Sequence, residues 1–374
     1  MCETHRIVKN KSGRRAGSSG SAKSATRLKD VADHLGLSPA TVSLVLNRSP
    51  AADAIPQKTH QRVFAAAEEL NYRPNLLARS LRQQKTFSVG VLVPEISEGY
   101  AAGVMKGVES YLSQEGYFYL LGSHGSKADL LSEYLAVLKD RSVEGYILLA
   151  SQLEEEPELP TVVVSGHRRL PGVTNVVLDH DVAAQLALGH LKALGHERIA
   201  FFRGPPANAD ANERWRAIRE TAGSLGLEVD PRLLREVRGV SYGEVFYREG
   251  FEQAQRLIGI DQEFTALFAF NDISAIGAMR AFLEAGIRVP KDVSVVGFDD
   301  IQSAAFHHPS LTTVRQPLEE MGALAARTLL ERLGSPSLSH PPEDVTVEPE
   351  FIVRESTAAA STARRGEARA ISVA

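Results

Sequence analysis

From Phe87 onward the chain repeats one unit: an apolar strand, a helix, a glycine and another apolar strand. "FSVGVLV" precedes a helix ending at Gly116 and the run "YFYLLGS". A later helix ends "LKALG" at Gly195 before "RIAFF", and another ends "FLEAG" at Gly286 before "VSVVGF". "TALFAF" leads into a helix starting near Asp272. Glycine just past a helix supplies the left-handed backbone that turns the chain back to the sheet. Strands alternating with helices imply parallel sheets covered on both faces. The roughly 270 residues built this way exceed one doubly wound sheet, so two α/β lobes are expected.

The first quarter is different. Residues 1–86 carry 15 Lys/Arg against 6 Asp/Glu, a balance of +9, and the remainder stands at −13 within a net −4. A basic head on an acidic body points to a polyanion-binding module attached to a domain with another task. Residues 1–26 ("NKSGRRAGSSGSAKSA" and its flanks) are poor in apolar side chains and are expected to be disordered. So is the tail 358–374, "AAASTARRGEARAISVA", which has no leucine heptad.

Three helices are expected between Thr26 and Arg73. Thr26 is a suitable cap for "LKDVADHL", whose Leu28, Val31, Ala32 and Leu35 share a stripe that ends at Gly36. Ser38 opens the second helix, with Pro39 at its first position. The third, from about Gln57 to Leu70, turns Val63, Phe64, Ala67 and Leu70 inward. Two short helices joined by a glycine turn and packed on a third form a helix-turn-helix. In the second helix Val42, Val45 and Leu46 face inward, leaving an outer face of Pro39, Ala40, Ser43 and Leu44. That face is bare for a helix meeting water. "NLLARSLR" (75–82) reads as a further helix too short to persist without packing or a ligand.

Several classes are excluded. The longest apolar runs, "YILLA" and "ALFAF", fall far short of the ~20 residues that span a bilayer. The N-terminus has no apolar signal region, so a cytoplasmic protein without membrane association is expected. The single cysteine, Cys2, cannot form an internal disulfide. No GxxxxGK[ST] or HExxH occurs, and catalysis is not expected. His307 and His308 have no further His/Cys spacing around them, and no metal or other cofactor is expected.

"LKDVADHLGLSPATVSLVLN", "AAEELNYRPNLLARSLR", "VGVLVP", "LKALGHERIAF", "FNDISAIGAMRA", "VPKDVSVVGFDDI", "LTTVRQP" and "VRES" follow one another in the chain. With this motif set the sequence, from Thr26 to Thr357, resembles the LacI/GalR family of bacterial transcription regulators. The resemblance implies an all-α helix-turn-helix headpiece over 27–74 and a hinge helix with linker over 75–86. It also implies a two-lobed, doubly wound α/β core of parallel sheets over 87–357, like the periplasmic sugar-binding proteins. Such a chain would act as a homodimer on a pseudo-palindromic double-stranded DNA operator, most often as a repressor, and answer to a small-molecule effector, by family precedent a sugar.

Carried onto these residues, the family pattern puts Pro39, Ala40 and Leu44 at specificity positions in the major groove. Lys29, Ser38, Thr41, Ser43, Asn47 and Thr59 fall at phosphate or mixed contacts, which set register more than sequence. None of Pro39, Ala40 and Leu44 can make a bidentate base hydrogen bond, which leaves thymine methyls and shape. Asn75, Arg79, Leu81 and Arg82 belong to the hinge, with Leu81 as a minor-groove wedge. Effector positions are Arg214, Asn271, Asp299 and Gln316, joined by Tyr100 and His167. Asn271 and Asp299 each follow an apolar strand and so stand at carboxyl ends, where α/β folds bind ligands. Their neighbours Asp272 and Asp300 are expected to be helix caps or structural groups.

The chain departs from the family in three places. The loop "RSPAADAIPQK" is about three residues longer than the family spacing. Glu98-Gly99-Tyr100-Ala101 replaces an Asn-Pro-aromatic-aromatic run, and "VSYGEVFY" is extended. A ligand other than a sugar therefore stays open, as do an activator role and a ligand-binding protein with no DNA role.

Overall fold

The computed structural model describes residues 26–47, 49–72, 85–96, 99–239, 244–260, 263–334 and 344–361. Residues 1–84 and 85–374 form separate units. In the first, α1 (Leu28–Leu35), α2 (Pro39–Leu46) and α3 (Gln57–Glu69) enclose a small core of Val31, Ala32, Val42, Val45, Val63 and Ala66. Gly36 ends α1 at φ +65°, and Ser38 Oγ accepts the Thr41 N–H at 3.1 Å to cap α2.

Two expectations need correction. The residue capping α1 is Arg27, whose N–H is held by Asp30 Oδ2 at 2.7 Å. Thr26 instead donates its hydroxyl to the Leu70 carbonyl at 2.8 Å, so it belongs to the folded unit rather than to the preceding tail. Phe64 is 41% exposed. The inward stripe of α3 runs through Val63, Ala66 and Ala67, and Phe64 lies ~100° around the helix from Val63. The long loop after α2 contains a 3-10 turn over Pro50–Ala54, and the carbonyl of buried Ala52 meets His60 Nε2 at 3.0 Å.

In the second unit the chain builds the same sheet twice. Strands β1 (Ser88–Val93), β2 (Phe118–Ser123), β3 (Tyr146–Leu149), β4 (Thr161–Val164) and β5 (Val173–Leu178) give the order β2-β1-β3-β4-β5. Strands β6 (Ile199–Arg203), β7 (Leu234–Glu236), β8 (Ala266–Phe268), β9 (Ser294–Asp299) and β10 (Thr312–Arg315) repeat it as β7-β6-β8-β9-β10. Late in the chain β11 (Val345–Val347) adds in parallel beside β5, and β12 (Glu350–Ile352) adds antiparallel beside β10. The other pairings are parallel. The central strands are short runs of Val, Ile and Leu buried end to end, as parallel strands covered on both faces must be.

Helices α4 (Tyr100–Gln114), α5 (Ala128–Asp140) and α11 (Leu318–Gly334) serve the first lobe. The second lobe uses α6 (His180–Ala193), α7 (Ala209–Ser224), α8 (Glu244–Ile258), α9 (Asp272–Glu284) and α10 (Gln302–Phe306). Each lobe has one helix pair in backbone contact through glycines. A Cβ on Gly107 would lie 1.9 Å from the Glu319 carbonyl oxygen, and one on Gly322 1.9 Å from that of Val104. Across the α8–α9 pair the corresponding distances are 2.2 Å for Gly250 to Ser274 O and 2.1 Å for Gly277 to Tyr247 O.

The described chain continues past the expected start of the C-terminal tail. Ala358 donates to Ser294 Oγ and accepts from His196 Nε2, both at 3.0 Å, and the Ala360 N–H reaches Leu194 O at 2.8 Å. These bonds satisfy backbone groups that a disordered tail would leave to water, so 358–361 belongs to the second lobe.

Gly107→Val and Gly277→Val should each destabilise the second unit by about 1–3 kcal/mol or more, because backbone oxygen cannot yield. Gly189→Ala, where a Cβ meets nothing within 4 Å inside α6, should be neutral or stabilising by about 0.5–1 kcal/mol. Thermal unfolding followed by circular dichroism separates the two classes; equal melting temperatures for all three variants would contradict the close helix contacts.

Candidate functional site

On the first unit, the start of α2 presents Ser38, Pro39 and Ala40 exposed, with Thr41 and Leu44 half-buried behind them. Lys29 is exposed and Thr59 is half-buried. Ser43 does not share that face. It is only 7% exposed, and Asn47 spends its amide on it, donating Nδ2 to Ser43 O at 2.8 Å and to Ser43 Oγ at 3.2 Å. The expected outer face therefore narrows to Pro39, Ala40 and Leu44, because Ser43 lies between the inward Val42 and Asn47 one turn on. Asn75, Arg79, Leu81 and Arg82 lie outside the described residues.

On the second unit, the carboxyl ends of the strands converge on a buried polar cluster. Arg214, on α7, donates NH1 to the Phe270 carbonyl at 2.7 Å and NH2 to Asp210 Oδ2 at 3.0 Å. Its guanidinium lies 3.6 Å from the centroid of the Phe298 ring, a desolvated cation-π contact. Asn271 caps α9, its Oδ1 accepting the Ser274 N–H at 2.9 Å. Gln316 donates Nε2 to Asp299 Oδ1 at 2.6 Å, and Tyr100 OH pairs with Ser165 Oγ at 2.7 Å.

Tyr100, Arg214, Asn271 and Asp299 surround a space of only about 10 Å³, together with Ser165 and Asp210. That is room for about one water. A second cavity of about 590 Å³ lies beside it, sharing Ala150, Ser165 and Asn208 and lined further by His124, Gln152 and His167. All six expected effector residues but Gln316 touch one or the other space. Gln316 lies behind Asp299 and opens instead toward a cavity of about 610 Å³ that also holds Asp300 and Arg315.

Backbone strain gathers at the same strand ends. Ala150, Ser165, Asp299 and Asp300 take φ of +43°, +57°, +112° and +57°, a region non-glycine residues avoid. Among the described residues, Arg214 Nε, Asn271 Nδ2 and Gln316 Oε1 are buried without a hydrogen-bond partner. Such atoms cost about 1–3 kcal/mol each unless something satisfies them, so the cluster is built to receive polar groups.

Burial pushes the Asp299 carboxyl up to about 6, against the opposing pull of Arg214 and Gln316. Asp272 is also raised, by burial and then by Asp299, yet it lines none of these three spaces. It accepts from Thr313 Oγ1 at 2.6 Å and from the Ile301 N–H at 2.9 Å, tying α9 to β10. Asp300 forms ion pairs with Arg315 and Arg354 at 2.7 and 2.6 Å. Both are structural groups. The cap of α9 is Asn271.

Sequence reasoning missed His180 and Asp210. Both His167 Nε2 and His180 Nε2 lie 2.9 Å from Asp210 Oδ1, and an ionised carboxylate there can only accept. Burial would raise the Asp210 pKa, but His180, His167 and Arg214 outweigh it and hold the carboxyl well below its usual range. Burial alone would lower the His167 pKa; the bond to Asp210 reverses the sign and raises it. Asp210 stands four residues before Arg214, a spacing that places both on one helix face and was visible in the sequence. His180 carried no such signal.

Residues 27–75 match the family described as bacterial regulatory proteins, lacI family, and residues 188–357 match the periplasmic binding protein-like domain. The HTH-type transcriptional regulator RegA of Clostridium saccharobutylicum is 33% identical over 341 residues, spanning 89% of this chain and 99% of its own. This chain belongs to the LacI family. The LacI-family fold extends to solved structures. One is the lac repressor dimer bound to operator and the anti-inducer ONPF, with TM-score 0.76, 26% identity, and coverage of 90% of this chain and 100% of that one. Another is the transcriptional regulator CelR in complex with cellobiose, with TM-score 0.63, 29% identity, and coverage of 88% and 99%. Like these relatives, this LacI-family protein is a DNA-binding transcriptional regulator and not an enzyme. Among its described residues no helix is long and apolar enough to cross a membrane.

Asp299 binds its proton more tightly folded (about 6) than unfolded (3.8), so its contribution to stability is full below the unfolded value and is lost as pH rises through about 6. Asp299→Asn keeps a side-chain oxygen for Gln316 and removes that loss. It should stabilise the protein by up to about 3 kcal/mol at pH 7.5 and by far less at pH 4.5. Denaturant melts at the two pH values measure this; a pH-independent difference would refute the shift.

Proposed function

We propose that this regulator represses transcription as a homodimer on a pseudo-palindromic operator, and that a sugar-class small molecule entering the cleft between the lobes changes its operator affinity. One observation carries the effector half: buried Arg214, Asn271 and Gln316 keep unpartnered polar atoms around Asp299, at strained strand ends. Hydroxyl groups both donate and accept, and would satisfy that mixed set. The sugar-bound relative supports the ligand class, since CelR was solved with cellobiose. Binding at this cluster requires the two lobes to part, because the space enclosed by Tyr100, Arg214, Asn271 and Asp299 holds no more than a water. Lobe movement is therefore the signal.

The DNA half rests on the exposed start of α2, where Ser38, Pro39 and Ala40 stand clear of the protein. Small apolar side chains suit close approach to the major groove floor and thymine methyls. Asn75, Arg79, Leu81 and Arg82 would add the hinge contacts that the family pattern assigns them. Dimerisation is supported by apolar side chains left exposed on both lobes: Phe118 at 68% on edge strand β2, Leu283 at 69% on α9 and Phe306 at 83% on α10. Edge strands and apolar surface of this kind need a cover.

Genomic fragments selected on the full-length protein, followed by fluorescence anisotropy against random duplex, test the first half. Ala40→Glu, at an exposed position, should leave the melting temperature nearly unchanged and lower specific affinity at least ~100-fold, since a carboxylate would face the groove and its phosphates. Unchanged operator affinity would remove α2 from the interface. Once an operator is in hand, a panel of sugars, sugar phosphates and sugar acids should contain at least one compound that shifts its affinity in the wild type and not in Asp299→Asn. A full response in that variant would move the effector site elsewhere.

A further inference from the structure

We propose that His167, His180 and Asp210 form a binding site for one divalent transition metal ion of the zinc type, placed between the two lobes. The three side chains come from separate elements: His167 from the segment after β4 in the first lobe, His180 from the first residue of α6, and Asp210 from the start of α7 in the second. One ligand atom from each lies within 4.8 Å of the others. Two imidazoles and a carboxylate are a donor set that suits zinc, nickel and cobalt ions.

The distances fit. Ligands held 2.0–2.2 Å from a tetrahedral ion stand about 3.3 Å apart, and both Nε2 to Oδ1 separations here are 2.9 Å. In the ion-free arrangement two imidazole N–H groups donate to a single oxygen, Asp210 Oδ1. A cation takes the place of those two hydrogens. Asp210 Oδ2 stays fixed by Arg214, which keeps the carboxylate oriented toward the rings. His180 and Asp210 are only 5% and 7% exposed, so the donors are preset by packing rather than gathered from solvent.

Two costs limit the affinity. With an ion on Nε2, each ring carries its proton on Nδ1, and His180 Nδ1 has no partner among the described residues, so that proton needs a water. The Arg214 guanidinium also opposes a second cation nearby. Binding in the micromolar range is the physical expectation, not the much tighter grip of a closed structural site.

Among the described residues three protein ligands come together, and His167 also lines the cavity of about 590 Å³. The fourth position thus opens toward space large enough for a small molecule. If the cleft is the effector site, as proposed above, an effector offering a vicinal diol or a hydroxy-acid could complete the coordination. That extension depends on the effector reading; the metal site does not.

The test uses full-length protein, stripped with chelator, dialysed and titrated with Co²⁺ and then with Zn²⁺ at pH 7.5, without any effector. One equivalent of Co²⁺ per chain should give visible d–d absorption that Zn²⁺ abolishes. His167→Gln should bind at least about tenfold more weakly. A His307→Gln/His308→Gln variant, altered away from the cluster, should bind like the wild type. His167 is the less buried of the two histidines, so its variant remains informative if His180→Gln fails to fold. Absence of Co²⁺ absorption, or equal binding by wild type and His167→Gln, overturns the proposal, and neither result bears on whether sugars bind.

Discussion

The carboxylate of Asp210 ties the two lobes of the second unit together. It is buried, it stays ionised, and it accepts from His167 of the first lobe and from His180 and Arg214 of the second. A charge so placed is tolerated only because each of its oxygens has a donor, and removing one partner of such a group typically costs about 3–5 kcal/mol. Arg214 passes the constraint on, to the Phe270 carbonyl and the Phe298 ring. The strands that carry Asn271 and Asp299 are therefore held in register with α7, and the two lobes share a polar bond through Asp210.

The cleft is built against local stability. Positive φ at Ala150, Ser165 and Asp299, unpartnered atoms on Asn271 and Gln316, and a carboxyl raised toward neutrality all lie within one small volume. Elsewhere the second unit is built mainly from buried apolar strands, capped helices, and helix pairs drawn into contact through Gly107, Gly322, Gly250 and Gly277, with further positive φ at Phe87, Ser126 and Ser142. A concentration of such violations at one cluster is the pattern expected of a site under functional demand, with the surrounding packing compensating. The same strained strand ends are where small changes in lobe spacing would be felt first.

Much of the fold was legible in the residues. The strand–helix–glycine rhythm foretold two parallel sheets, and Gly116, Gly195 and Gly286 do take left-handed backbone after their helices. Local capping was less reliable. Thr26 has the right chemistry for a cap, yet its hydroxyl goes to Leu70, a residue brought near only by the packing of α3 on α1. Phe64 was placed inward by hydrophobicity alone, although the stripe through Val63, Ala66 and Ala67 leaves it outside. Ser43 likewise looked like a surface hydroxyl until Asn47 folded back on it.

By itself the sequence determined the element types, the two-lobed parallel architecture, the helix-turn-helix and the family, because each is written in short-range pattern: periodicity, caps, turn glycines and contiguous motifs. It also determined that Asn271 and Asp299 sit at strand ends, since that follows from where each strand stops. Only the tertiary structure decided which side chains meet. His167, His180 and Asp210 are far apart in the chain and share no motif spacing, so the carboxylate they converge on exists only once two lobes have closed around it. The state of that carboxylate, the height of the Asp299 pKa and the shape of the adjoining cavity depend on burial and on neighbours from other elements, and distance in space is not encoded in distance along the chain.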